Sequence, residues 1–267
     1  MSVKSTTEGQ VQSLLSVPKI LAFHKLMSGL SYGVTNLSPK RFKRMLGFLQ
    51  DAGYGFESVQ DVIHGKRAAA LALTFDDGYR HLAEVLPPLI ELFNIRPLIL
   101  IPTAFIGKSN SWDYCHVFED TPHLNRSEIR RLASLGVEFG SHGHRHIALT
   151  QCTEATRHNE LSQSRCILEE ITGSPVTVIS YPFGRFNDRV VSAALEAGYR
   201  VGLTMRMPGR DDTPMALGRL PVYSFDSRIS VLRKVRGGPL LGIENLKVRA
   251  TNLLSVGTLI LNRLRRI

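Results

Sequence analysis

Cysteine, tryptophan and long apolar runs are all scarce in this chain. Its three cysteines, Cys115, Cys152 and Cys166, form no close pair and no metal-binding spacing, so they read as reduced thiols, buried or idle. No run approaches the ~20 apolar residues of a membrane-spanning helix. The first residues, Met1 to Gln12, are polar and lack the apolar core of a signal peptide, which makes the cytoplasm the expected location. Internal repeats and low-complexity segments are absent. Acidic residues almost vanish near the end: from Arg228 onward there are nine Lys/Arg against one acid, Glu244. That stretch holds most of the net charge of +10, and the residues before it are close to neutral. A nucleic-acid groove needs its charge on a folded face, so nucleic acid is excluded as the expected partner. No histidine follows His158.

What is present is ordinary soluble α/β composition, 43% apolar over 267 residues, enough for one large domain with extensions. Residues 1–16 read as a disordered lead-in, 17–226 as the domain, and 227–267 as a basic, helical extension. Val17 to His24 reads as a strand ending in histidine. Ser38-Pro39 opens a helix, with Ser as N-cap and Phe42, Met45, Leu46 and Leu49 as its apolar stripe. A short helix over Val59–His64 follows. From residue 71 strands and helices alternate: strand 71–75, helix within 80–93, strand 97–101, helix 127–135, strand 137–141, helix 153–171, strand 176–181, helix 187–197, strand 199–205. Such alternation implies parallel strands with right-handed crossovers, and closing the sheet gives a barrel with function at one rim.

Two strand ends carry chemistry. Leu71-Ala72-Leu73-Thr74-Phe75 runs into Asp76-Asp77-Gly78. A capping Asp and a turn Asp-Gly would explain one carboxylate each. About 65 residues later Val137–Ser141 runs into His142-Gly143-His144-Arg145-His146. Residues four apart in a helical turn share a face, so His142 and His146 can point at one atom while His144 points elsewhere. Two His and one carboxylate with an open position form the ligand set of a catalytic metal. Adjacent residues at a strand end diverge, so one carboxylate can ligate while the other stays beside the water.

Thr74-Phe75-Asp76-Asp77-Gly78, Ser141-His142-x-x-x-His146 and Ser180-Tyr181-Pro182-Phe183-Gly184 together resemble the polysaccharide deacetylase family, the NodB-homology or carbohydrate esterase type 4 enzymes, and within it the exopolysaccharide branch. The resemblance covers roughly residues 18–225. It implies a distorted (β/α) barrel with fewer than eight repeats and a metal-dependent hydrolase that removes N-acetyl or O-acetyl groups from a carbohydrate. It further implies Asp77, His142 and His146 as metal ligands and Asp76 as general base. The Phe183 N–H becomes the oxyanion donor, with Tyr181 and Pro182 beside it on the substrate side and no role needed for the Phe183 ring. Zinc suits two His and an Asp; cobalt, nickel and iron fit the same set.

Two departures stand out. Most members carry an arginine two positions before that proline to orient the base, where this chain has Ser180. Many also carry a C-terminal histidine that protonates the leaving amine, and none is present here. His24, which the branch places near the metal, His144 or Asp76 itself are the remaining proton carriers. The loop after the strand at 97–101 holds the only tryptophan, and Trp112 and Tyr114 there read either as sugar-stacking contacts or as loop anchors. The expected partner is an acetylated sugar, oligosaccharide or lipid-linked glycan. A deformylase on a lipid-linked aminosugar and a non-catalytic carbohydrate-binding protein are the alternatives. The basic tail reads either as a solvated helix on the barrel or as a peripheral contact with the anionic inner face of a membrane.

Overall fold

Short apolar runs joined by amphipathic segments fold here into parallel strands with helices outside them. The computed structural model describes residues 18–28, 33–67, 69–111, 121–237, 242, 244, 246–248 and 251. In chain order the elements are β1 (Ile20–Phe23), α1 (Pro39–Asp51), β2 (Gly55–Phe56), α2 (Val59–Ile63), β3 (Ala70–Phe75), α3 (Leu82–Phe93), β4 (Leu98–Ile101), α4 (Arg126–Ser134), β5 (Glu138–Ser141), α5 (Glu154–Thr172), β6 (Val178–Ser180), α6 (Asp188–Glu196), β7 (Val201–Leu203), β8 (Leu220–Pro221) and α7 (Arg228–Arg236). Helix starts follow the expected chemistry. Ser38 caps α1 with Pro39 in the first turn, Asn125 and Glu128 form a capping box on α4, and Thr153 caps α5. β3 is one residue longer than expected, and the other strands are shorter than the apolar runs that encode them.

The strand order is β7-β6-β5-β4-β3-β1-β8, all parallel, with β2 beside the start of β3. The two sheet ends then meet. Leu203 of β7 pairs in parallel with Leu217, and the Thr204 N–H donates to the Leu217 carbonyl at 2.8 Å. The sheet thus curls into the distorted barrel that the resemblance implies, its seam closed by residues 215–221. That seam is tight. A Cβ on Gly202 would lie 2.2 Å from the Met215 carbonyl oxygen, and one on Gly218 2.6 Å from the Pro208 backbone, so both positions require glycine.

Side chains alternate across a strand, and that parity sets the site. Ile20, Ala72, Leu98, Leu100, Val178 and Leu203 form a buried cluster inside the curl. Leu21, Leu73, Phe75, Ile99, Phe139 and Ile179 take the opposite face and pack under the helices. Carried to the rim, the inner parity points Thr74, Asp76, His142, Ser180 and Arg219 inward, and all five are buried. The barrel interior is therefore an apolar plug capped by a polar layer.

The basic C-terminal stretch spends one of its charges inside the fold. Lys234 of α7 is fully buried, with its ammonium 2.8 Å from the Pro221 carbonyl, 2.5 Å from Asp226 and 3.7 Å from Glu244. Removing one partner of a buried ion pair leaves an uncompensated charge and costs about 3–5 kcal/mol. Lys234→Met is expected to destabilise the protein by that order in urea unfolding. Lys234→Met with Asp226→Asn is expected to recover part of it.

Candidate active site

Burying the Asp76 carboxylate is costly unless a cation meets it. That cation is Arg219, from the seam. Its Nη1 donates to Asp76 Oδ1 and its Nη2 to Asp76 Oδ2, both at 2.7 Å. The remaining donors go to the Thr204 carbonyl (3.0 Å), Thr74 Oγ1 (3.1 Å) and Ser180 Oγ (2.9 Å). Every N–H of the guanidinium is thus engaged, at 0% exposure. Burial pushes the Asp76 carboxyl upward, but the Arg219 charge and its paired hydrogen bonds overcome this and hold it well below the usual carboxylate range.

Asp77 would follow strand parity to the outer face. A left-handed backbone (φ 69°) turns it back. His142 continues β5 inward, and its Nδ1 lies 2.8 Å from the Ser180 carbonyl oxygen. A carbonyl only accepts, so Nδ1 carries the proton and Nε2 keeps its lone pair. His146 arrives differently from the expected helical turn. Residues 142–146 form a bent loop, not a helix, with Gly143 (φ 76°) and His146 (φ 55°) both left-handed. The loop is held from outside by Glu160 of α5, which is 2% exposed. Glu160 accepts from the backbone N–H groups of His144 (3.0 Å) and Arg145 (2.8 Å) and from Arg145 Nε (2.7 Å).

The result brings together the three residues expected to ligate. His142 Nε2 and His146 Nε2 are 3.1 Å apart, and they lie 3.6 and 3.7 Å from Asp77 Oδ1. Donors ~2.1 Å from an ion lie about 3.0 Å apart at octahedral angles and about 3.4 Å apart at tetrahedral ones. The donor triangle fits a divalent cation by size and by chemistry. Burial lowers the pKa of both imidazoles, more strongly for His146, and so favours the neutral, ligating form. Asp76 Oδ2 stands 4.0 Å from His142 Nε2, beside the triangle and not in it.

Other expected residues fall into two groups. Phe183 adopts φ 60°, and its ring packs edge-on against His146 at 4.7 Å, so the side chain does have a contact at the site. His24 follows β1 and feels the charges of Asp76, Arg219 and His142; its pKa falls to about 4, mainly through burial, with Asp76 opposing. Tyr181 departs from the substrate-side expectation: it is fully buried, its hydroxyl donates to the Met215 carbonyl at 2.8 Å, and its ring stacks on Phe186, so it braces the seam. Pro182 is buried at the start of the turn that carries Phe183. His144 points away as expected, with Nδ1 2.8 Å from Thr103 Oγ1. Trp112 and Tyr114 lie outside the described residues.

Arg219 and Glu160 were not singled out from sequence. A lone arginine inside the apolar run Leu217–Val222, in a chain with no arginine at position 180, was the available signal for the first. Arg219→Met leaves Asp76 buried and unpaired. Its pKa then rises, and the acid limb of the kcat/KM profile is expected to move to higher pH, with activity down about 100-fold or more. Arg219→Lys keeps the charge but not the fork and is expected to fall between. A pH–rate series on the three proteins checks this.

The family model described as polysaccharide deacetylase matches residues 64–202, about half of the chain. YxkH of Bacillus subtilis, named as a polysaccharide deacetylase, is 28% identical over 212 residues, spanning 76% of this chain and 70% of its own. Among solved structures, the Streptococcus pyogenes deacetylase PplD in complex with acetate superposes with a TM-score of 0.72 at 19% identity, covering 84% of this chain and 99% of that one. IcaB from Ammonifex degensii gives 0.69 at 18% identity, covering 82% and 97%. Those two identities establish shared fold, the NodB-like barrel. With the family match over the motif-bearing strands, the chain belongs to the polysaccharide deacetylase family, hydrolases that remove acetyl groups from carbohydrates.

Proposed function

We propose that the protein is a metal-dependent carbohydrate N-deacetylase, with Asp77, His142 and His146 as ligands and zinc as the resident ion. The observation that carries this reading is the pairing of a buried Asp-His-His triangle with a second carboxylate held ionised 4.0 Å from one of its nitrogens. A divalent cation held there would supply Lewis acidity at the acyl carbonyl and at the attacking water. Asp76 takes the proton from that water. Arg219 keeps Asp76 ionised and fixes both of its oxygens, so the base is pre-aimed. The Phe183 N–H, in its left-handed turn, donates to the oxyanion as the carbonyl carbon becomes tetrahedral. His24 is neutral at rest; it accepts a proton from the Asp76 side and passes it to the departing amine. The substrate class is an acetylated oligosaccharide or a glycan intermediate on a lipid carrier.

Elemental analysis and acetate release from chito-oligosaccharide test the reading together. One metal per chain is expected in the wild type. Asp77→Ala and His142→Ala are expected to lose both metal and acetate release. No metal after reconstitution, or acetate release that survives both substitutions, overturns it.

A further inference from the structure

Six large apolar side chains are well exposed among the described residues. Leu92 and Leu195 lie singly on α3 and α6, and Leu135 just past the end of α4, as on most protein surfaces. The other three come from one stretch: Phe225 is 52%, Ile229 56% and Leu246 68% exposed. Their placement is fixed by polar contacts. The Ser224 N–H donates to the Val34 carbonyl at 2.7 Å, and the Arg41 guanidinium donates to the Ser224 and Asp226 carbonyls at 2.6 and 3.0 Å. Ser230 Oγ donates to Glu244 at 2.9 Å, which ties the segment holding Leu246 to the first turn of α7. Ser230, Val231, Lys234 and Val235 form the buried face of α7, leaving Ile229, Arg233 and Arg236 outward.

The charge around these tips has one sign. Arg228, Arg233 and Arg236 are exposed, while the acids of the stretch, Asp226 and Glu244, are buried and paired with Lys234. Phe225 lies four residues past β8, at the C-terminal ends of the strands. This is the same rim as the Asp-His-His triangle, on the β1–β8 side of the mouth. Apolar tips ringed by arginine suit an interface where hydrocarbon begins just below a layer of phosphate. The contact would be peripheral: among the described residues no helix is long and apolar enough to cross a membrane.

We propose that Phe225, Ile229 and Leu246, with Arg228, Arg233 and Arg236, form a docking face for an anionic lipid bilayer. Docking there sets the barrel mouth beside the bilayer surface, within reach of a glycan carried on a lipid. The proposal does not depend on the hydrolytic reading, since it concerns residues outside the site.

Vesicle co-sedimentation of the full chain tests it. The wild type is expected to bind phosphatidylcholine vesicles containing about 30% phosphatidylglycerol, to ignore pure phosphatidylcholine, and to release as salt rises. Phe225→Ser with Ile229→Ser keeps every charge and is expected to weaken binding about tenfold. Arg233→Glu with Arg236→Glu keeps the apolar tips and is expected to weaken it at least as much. Unchanged thermal unfolding and unchanged acetate release from soluble substrate show that the variants are folded. Absence of wild-type binding to the anionic vesicles overturns the proposal. So does binding by the serine double variant equal to wild type, which would assign the affinity to tail charge alone. A wild-type dimer in sedimentation velocity that the serine variant dissolves also overturns it, because a second copy would then cover the face.

Discussion

The pairing of Arg219 with Asp76 is the constraint on which the rest depends. Two charges at nearly zero exposure are tolerated only because each oxygen of the carboxylate meets one arm of the fork and the remaining donors find acceptors. The partners come from three strand ends and the seam. Arg219 lies in the segment whose hydrogen bonds join β7 to β8, so barrel closure and the ionisation of Asp76 share one residue. A barrel that failed to close would leave a carboxylate buried without its cation.

Around that pair, the polar layer departs from regular backbone where chemistry needs it. Among the described residues only Asp77, Asn94, His146 and Phe183 are non-glycine residues with positive φ, and three of the four meet at the site. Asn94 merely ends α3. Such conformations cost on the order of 1–3 kcal/mol each and persist where surroundings enforce them. The enforcement is visible. The Leu124 N–H donates to the Gly78 carbonyl at 2.9 Å, Glu160 clamps the histidine loop, and the Gly184 N–H donates to the Tyr181 carbonyl at 2.8 Å. Strain turns two side chains, Asp77 and His146, toward one point that strand parity alone would not give them.

The fold was legible because its signals are local. Apolar runs, Ser and Thr caps and the strand–helix rhythm need no long-range knowledge, and the three motif segments fall on β3, β5 and β6 as expected. The convergence of Asp77, His142 and His146 was legible in outcome but not in route, since a bent loop replaces the helical turn. Tyr181 misled because a motif position says nothing about which way a ring points, and parity sends that ring to the outer core. Arg219 was hidden by distance. It sits 39 residues beyond Ser180 in sequence, as the separation of their hydrogen bond shows, yet its guanidinium reaches both oxygens of Asp76. Charge counts likewise cannot tell Lys234, spent inside the fold, from Arg233 beside it on the surface.

Asp76 and Asp77 are adjacent carboxylates assigned opposite duties, and separating them is the most direct test of the whole account. The measurement is cobalt(II) titration of metal-free protein followed by its visible absorption, with acetate release in parallel. Asp76→Asn is expected to bind one equivalent with a spectrum close to wild type and to lose acetate release; Asp77→Asn is expected to lose the cobalt spectrum itself. A cobalt site that survives Asp77→Asn, or one that vanishes with Asp76→Asn, would contradict the assignment of ligand and base.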